Sequence, residues 1–521
     1  VKQNRLAAID IGTNSIRCIV VEVMKNGKFR VLDDEKATVR LGEGLSTSGR
    51  ISPAAWERAL AALVRMKKIV AGYGVQAIEA VATSAVREAA NGAAFIEAIR
   101  SEVGIEVAVI SGEEEAELAS LSVRNHFDME GVRYAMVDIG GGSLEVVTAR
   151  GGLIEEIYSL DLGAVFLTEK YLAGDPVKAS EIQKLRRYIR RRLKGIFADE
   201  RPVVQSLVGS GGTITSLAAM VMALRNEEYG SIHRYEVLRS EVVHLLAMLA
   251  RKSLKERREI PGLNPDRADI IIAGITVVDE LMRMFDANLL RVNERGIREG
   301  LILKSLRKHE LVAEESERHT WRDSVLDFAR SCHVEEEHAL HVAQLSLQIF
   351  DAVNPLYNLG EGARRMLEAA AILHDVGYFI NYSSHHKHSY HLIRHADLFG
   401  FAPREREIIA NIARYHRKAL PKKKHDAYLR LVEADRLLVS RLGGILRLAD
   451  GLDRRRSSVV QSVTCTPANG NFLVTLLSRD EISVELFGAK LKGDLFEDAF
   501  KRKLVFVAES PSVEEGPAAA G

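Results

Sequence analysis

The sequence predicts a mixed α/β protein: a duplicated α/β domain, then an almost wholly helical domain, then a small α/β module. Three observations carry this. Residues 9–15 read IDIGTNS and residues 137–143 read VDIGGGS, so Asp10, Gly12 and Ser15 recur 128 positions later as Asp138, Gly140 and Ser143. From about 309 to 458 the chain is histidine-rich and helical in pattern. From 459 to 508 short β-like runs return.

Each copy of the echo continues alike. IRCIVVEVMKNGKFRVLDD turns at Asn26-Gly27 and LEVVTARGGLIEEIYSLDLG turns at Gly151-Gly152, both hairpin signals between β-rich runs. Residues 54–74 have helical spacing, and 75–89 read as a strand and then a helix. In the second copy 179–196 is amphipathic, with Ile182, Leu185, Ile189 and Leu193 on one face, and 268–285 reads as a buried helix. The expected divisions are 1–125, 126–308, a helical domain 309–458, an end module 459–508 carrying VVQSVTCTP, NFLVTLLS and ISVELF as β-like runs, and a disordered tail 509–521. The segment 296–303 is expected to pack back on the first half.

Composition narrows the function classes. The chain has 521 residues, 47% hydrophobic and 27% charged, with a net charge of +1, which argues against a nucleic-acid coat or a membrane-surface binder. Cys18, Cys332 and Cys465 are far apart, so neither a disulfide framework nor a cysteine zinc knuckle organises the fold. No apolar run reaches the roughly 18 residues of a spanning helix, and VKQNRLAAIDIG does not read as a signal peptide. A soluble cytoplasmic protein is the expectation.

The echo carries chemistry. Glycines after a strand let the backbone approach a ligand closely, successive N–H groups form an anion nest, and an aspartate on the strand offers hard oxygen to Mg²⁺. A lone DxG would be read as a tight turn. The aligned pair, with a third glycine turn VGSGGTITSLA before a helix, points to phosphate. The candidate phosphate-binding residues are Gly12, Thr13, Asn14, Ser15, Gly140, Gly141, Gly142, Ser143, Gly209, Gly211, Gly212 and Thr213. KLRRYIRRRLK (184–194) holds seven cations in eleven residues, either a solvated face or a track for a long polyanion; Lys422–Lys424 and Arg454–Arg456 pose the same choice.

AIDIGTNSIR, VATSAVREA, ISGEEEAEL, VDIGGGSLEV, VGSGGTITSLA and PGLNPDRADIIIAG, in this order, resemble the exopolyphosphatase/guanosine pentaphosphate phosphohydrolase (Ppx/GppA) family over roughly residues 5–305. The resemblance implies duplicated actin-like domains of the sugar kinase/Hsp70/actin superfamily. It places the family's catalytic base on Glu115 and its arginine on Arg87, and puts Mg²⁺ or Mn²⁺ near Asp10, Asp138 and Glu145. By residue type alone Glu115 reads as a surface acid in a run of three, and Glu145 as a strand-exposed acid.

His338, the pair His374-Asp375 and Asp450 fall on apolar helical segments and resemble the HD superfamily of metal-dependent phosphohydrolases. That resemblance implies a second divalent metal; His385, His386, His388, His391 and His416 are further candidates. The expected activity is Mg²⁺-dependent release of terminal phosphate from inorganic polyphosphate, and of pppGpp to ppGpp. A main activity on pppGpp, a sugar-kinase-like transfer and a non-catalytic polyphosphate or (p)ppGpp sensor are the alternatives. A homodimer is the default, with neither nucleic acid nor membrane as a partner.

Overall fold

The computed structural model describes residues 4–24, 29–197, 203–308 and 320–509. The Asn26-Gly27 turn and the tail from Ser510 lie outside them. The chain divides into two compact units, 1–228 with 232–318, and 229–231 with 319–521.

The first unit holds two sheets. The first contains β1 (Arg5–Ile11), β2 (Ser15–Val23), β3 (Phe29–Thr38), β4 (Ala77–Ala82) and β5 (Ala108–Val109), in the order β3-β2-β1-β4-β5. The second contains β6 (Arg133–Ile139), β7 (Leu144–Arg150), β8 (Leu153–Leu160), β9 (Ser206–Ser210), β10 (Glu236–Leu238) and β11 (Leu289–Val292), in the order β10-β11-β9-β6-β7-β8. Read from the hairpin edge, β8-β7-β6-β9-β11 repeats β3-β2-β1-β4-β5. In both sheets the first three strands are antiparallel and the fourth pairs parallel with the first. The sequence echo is therefore a topological duplication.

Period-two patterning explains why both faces of the first sheet are covered. Ala7, Ile9 and Ile11 face the helix Pro53–Gly72 through Ala59, Leu63 and Met66. That helix starts where Ser52 accepts from the N–H of Ala55 and Pro53 supplies a preset first turn. Leu6 and Ala8 face the other way, onto Leu301, Ile302 and Leu306 of the helix Ile297–Lys308. This helix follows the second sheet in sequence yet packs on the first, as expected of 296–303. In the helix Ala179–Lys194 Leu185, Ile189 and Leu193 are buried and Ile182 is half-buried. Its inward arginines Arg186 and Arg190 pair with Glu280 of the buried helix Ile271–Met284 at 2.9 and 2.6 Å.

The second unit is helical around one continuous apolar core, with helices Glu336–Tyr357, Glu361–Leu373, His385–His395, Pro403–Arg414 and Glu433–Leu452. A three-stranded sheet, β12 (Ser462–Ala468), β13 (Asn471–Leu477) and β14 (Leu504–Glu509), ends it. One expectation needs correction here. ISVELF is not a strand; it opens the helix Ser483–Lys492, and the third strand is Leu504–Glu509. The reason is directional: β14 runs parallel to β13, and a parallel pair needs a crossover, which the helices Ser483–Lys492 and Asp494–Phe500 provide. Among the described residues no helix is long and apolar enough to cross a membrane.

Candidate active site

The two glycine turns of the first unit have the same internal geometry. The N–H of Gly12 donates to the carbonyl of Ser15 at 3.1 Å, and that of Gly140 to Ser143 at 3.0 Å. They also face each other. A methyl group on Gly141 would stand 2.8 Å from Cβ of Thr13, and one on Gly142 only 2.2 Å from Oγ of Ser84. Between them opens a cleft of about 840 Å³, counting its mouth, lined by Asp10, Gly12–Ser15, Asp138, Gly140, Gly141 and Ser143. Gly211 and Gly212 join at the start of the helix Gly212–Leu224. Gly211 has φ +95°, and a side chain there would meet the carbonyl of Ile139 at 2.5 Å. Three candidates stand apart from the lining, the first of them Gly142, set against Ser84. Gly209 lies inside β9 between Ile214 and Leu290, and Thr213 is packed against Gly274.

Of three consecutive glutamates only Glu115 turns inward. Glu114 caps its own helix, accepting from the N–H of Ser111 at 2.9 Å, and Glu113 is exposed. Glu115 is 5% exposed and its Oε2 accepts no hydrogen bond. Arg87 stands 3.6 Å from that oxygen while donating to the carbonyl of Ile110 at 2.7 Å, so it faces the glutamate. The surface-acid reading of Glu115 does not survive its burial. Nor is Glu145 strand-exposed: it is 1% exposed and accepts from Oγ of Ser159 at 3.1 Å.

Four carboxyl groups thus share one desolvated space. Burial, then Glu145, Asp10 and Asp138, push Glu115 well above the usual range, with Arg87 opposing. Burial and Asp138 raise Glu145 to about 8; burial and Asp10 raise Asp138 to about 6. Asp10 is raised by burial against Arg17 and Arg298, and its Oδ1 is buried without a donor. Crowded acids with unsatisfied oxygens are a donor set suited to a hard divalent cation. The residues fit Mg²⁺ or Mn²⁺.

The same cleft is also lined by cations, which sequence reasoning did not single out. Arg17, Arg267 and Arg298 line the cleft. Burial and then Arg17 lower Arg267 to about 10; burial, Arg17 and Arg267 lower the nearby Lys36 to about 8. The Nε of Arg267 is buried without a partner, and the guanidinium occupies the space a side chain on Gly212 would need. Cations that repel one another in a buried space favour a bound anion. The available signal was the position of these arginines inside IDIGTNSIR, PGLNPDRADI and GIREG.

In the helical unit the histidine and aspartate candidates form two adjoining triads, His338/His374/Asp450 and Asp375/His385/His416, the ligand atoms within each lying within 4.8 Å of one another. Asp375 therefore sits with His385 and His416, 3.2 and 3.7 Å from their Nε2 atoms, and His374 Nε2 is 3.5 Å from its other oxygen. His374 and His416 each donate Nδ1–H to a backbone carbonyl at 2.6 Å, which leaves Nε2 as the lone-pair atom. Nε2 of both His338 and His374 is buried without a hydrogen-bond partner. Burial lowers the pKa of His374 and His416, keeping them neutral as a metal requires. The donor set fits a divalent ion. His386 is buried outside both triads.

A twofold actin-like α/β body whose glycine turns close on one polar cleft defines a phosphate-handling enzyme. The Ppx/GppA phosphatase family matches residues 19–309 and domain III of that family matches 321–483; the chain belongs to this family. It is 32% identical over 313 residues to "Exopolyphosphatase 2" of Mycobacterium tuberculosis, a match covering 57% of this chain and 98% of that protein. A crystal structure of the Aquifex aeolicus family member superposes with TM-score 0.52 at 29% identity, covering 59% of this chain and 98% of the other. An exopolyphosphatase from Cytophaga hutchinsonii gives 0.56 at 28%, covering 60% and 100%.

Proposed function

We propose that the cleft hydrolyses the terminal phosphoanhydride of inorganic polyphosphate. The observation that carries this is Glu115, a buried carboxylate with an unsatisfied oxygen, in the same cleft as two glycine turns and three arginines. Hydrolysis needs an oriented water, neutralised phosphoryl oxygens and a stabilised leaving oxygen. Glu115 holds and deprotonates the water, with Arg87 fixing its orientation. The N–H groups of Thr13 and Asn14 in one turn and of Gly141 and Ser143 in the other receive phosphoryl oxygens, and the start of the Gly212–Leu224 helix adds its positive end. Arg17, Arg267 and Arg298 take the following phosphates. Asp10 and Asp138, with Glu145 behind them, would hold Mg²⁺ or Mn²⁺, which when bound supplies charge neutralisation at the anhydride.

This reading treats 1–125 and 126–308 as the two lobes of the site, with 309–458 and 459–508 as separate helical and end modules. pppGpp ends in the same anhydride and is a second substrate under this reading. The test is phosphate release from long-chain polyphosphate and from pppGpp side by side, with and without Mg²⁺, in wild type and Glu115→Gln. Loss of about 10²–10⁴-fold in the variant is expected for a general base. Unchanged release would return the protein to the sensor class.

A second reading concerns the helical unit. The paired triads and the orphaned Nε2 atoms of His338 and His374 favour divalent-metal binding there, by His338, His374 and Asp450 and by Asp375, His385 and His416. Mn²⁺ content by equilibrium dialysis, lowered in Asp375→Asn, is the measurement.

A further inference from the structure

A fourth arginine, Arg295, lines the cleft and has no part in the hydrolytic reading. It directly precedes Gly296, where an added methyl group would lie 3.8 Å from Oδ2 of Asp138. Its Nη1 donates to Oε1 of Glu299 at 3.0 Å, in the first turn of the helix Ile297–Lys308. The same oxygen lies 2.6 Å from Nε2 of His126, and Oε2 accepts from Oγ of Ser122 at 3.2 Å. Glu299 is buried. Burial alone would push its carboxyl up, but His126 and Arg295 outweigh burial and hold it below the usual range. The clasp on Arg295 is therefore a full negative charge.

The partners of Glu299 belong to the elements that build the site. Ser122 and His126 follow Glu115 by seven and eleven residues in the helix Gly112–His126, close to whole turns, so all three share one face. A methyl group on Gly300 would run into the carbonyl of Leu118, so glycine there lets the two helices meet closely. Asn293 extends the network. Its side-chain amide donates to Oγ of Ser122 at 3.3 Å and of Ser210 at 3.2 Å, and its Oδ1 accepts from the N–H of Arg295 at 3.2 Å. Ser210 stands directly before the Gly211 turn. One buried network thus joins the Glu115 helix, the third glycine turn and the loop of Arg295. Burying a carboxylate costs free energy that pairing rarely repays in stability; what it fixes is direction. A guanidinium holds its donors in one rigid plane, so a clasp on Nη1 sets where that plane points.

We propose that Arg295 is a further substrate-binding cation, meeting a phosphoryl oxygen beside Asp138, and that Glu299 is the positioning residue that aims it. The inference rests on the hydrolytic reading above.

The test measures initial rates of phosphate release from long-chain polyphosphate by the full chain, with the melting temperature of each variant. Arg295→Met should lose about 10–100-fold in kcat/KM, the worth of one charged contact. Glu299→Gln keeps the shape and removes the charge; it should lose as much or less. The double variant separates aiming from folding. If Glu299 acts through Arg295, adding Glu299→Gln to Arg295→Met costs nothing further, within about twofold. A purely structural role would lower the rate again by the full single-variant loss. That result, an unchanged rate in Glu299→Gln, or failure of both Glu299→Gln and Glu299→Asp to fold overturns the positioning role. Arg295→Met within about twofold of wild type overturns the substrate contact. If wild type releases no phosphate, or Glu115→Gln releases as much as wild type, the hydrolytic reading itself fails and takes this one with it.

Discussion

The two hairpins that build the cleft share a backbone and differ in one position that matters. Across the first, Asp10 lies opposite Arg17; across the second, Asp138 lies opposite Glu145. These are equivalent places in the duplicated strands. One copy offers a cation to the cleft. The other offers an acid that burial and Asp138 hold at about 8, beside Glu115. Under the proposed function the shared turns would grip an anion from both sides, and the divergent pair would assign a side for binding and a side for acid–base work.

The severest way to break this comparison is to exchange the pair, Arg17→Glu with Glu145→Arg. Phosphate release should fall at least about 100-fold, the scale on which lost electrostatic preorganisation is felt; near-wild-type rates would show that the copies are interchangeable. Arg17→Met tests the binding side alone. Removal of one charged contact, roughly 1.5–3 kcal/mol, should cut kcat/KM for polyphosphate about 10–100-fold, read from initial rates.

The acid side is tested through pH. Glu145 is raised from 4.5 to about 8, so its protonated form is favoured by folding. That stabilisation is complete below pH 4.5 and is lost as pH climbs through about 8. The melting temperature of the protein in chelator should fall across this window, and fall less in Glu145→Gln. The charge of Glu145 also raises Glu115, so the acid limb of the rate profile should move to lower pH in the same variant. The smallest effect expected concerns the third turn: Gly211→Ala, at φ +95° against Ile139, should lose about 1–3 kcal/mol in denaturant unfolding.

Legibility in the sequence followed the range of the interaction. The aspartate–glycine–serine turns were readable because their geometry depends on glycine and on neighbours three positions away. The inward aim of Glu115 could be taken only from family resemblance, because a run of three acids does not say which one the capping Glu114 leaves to turn in. Arg267 could not be placed beside Arg17, 250 residues earlier, by any local pattern. ISVELF misled because a β-like run also serves as one face of a crossover helix, and the parallel direction of β14 lies outside that segment. The histidine–aspartate set was legible as a group, but its division into two triads depends on how five helices pack.

The difference between positions 17 and 145 has an evolutionary corollary. Two separate identical halves, meeting about a dyad, would present the same residue from each side, two arginines or two glutamates. Only after both halves share a polypeptide can one gene change one without the other. Covalent fusion here is the condition under which a symmetric clamp could become a directional machine.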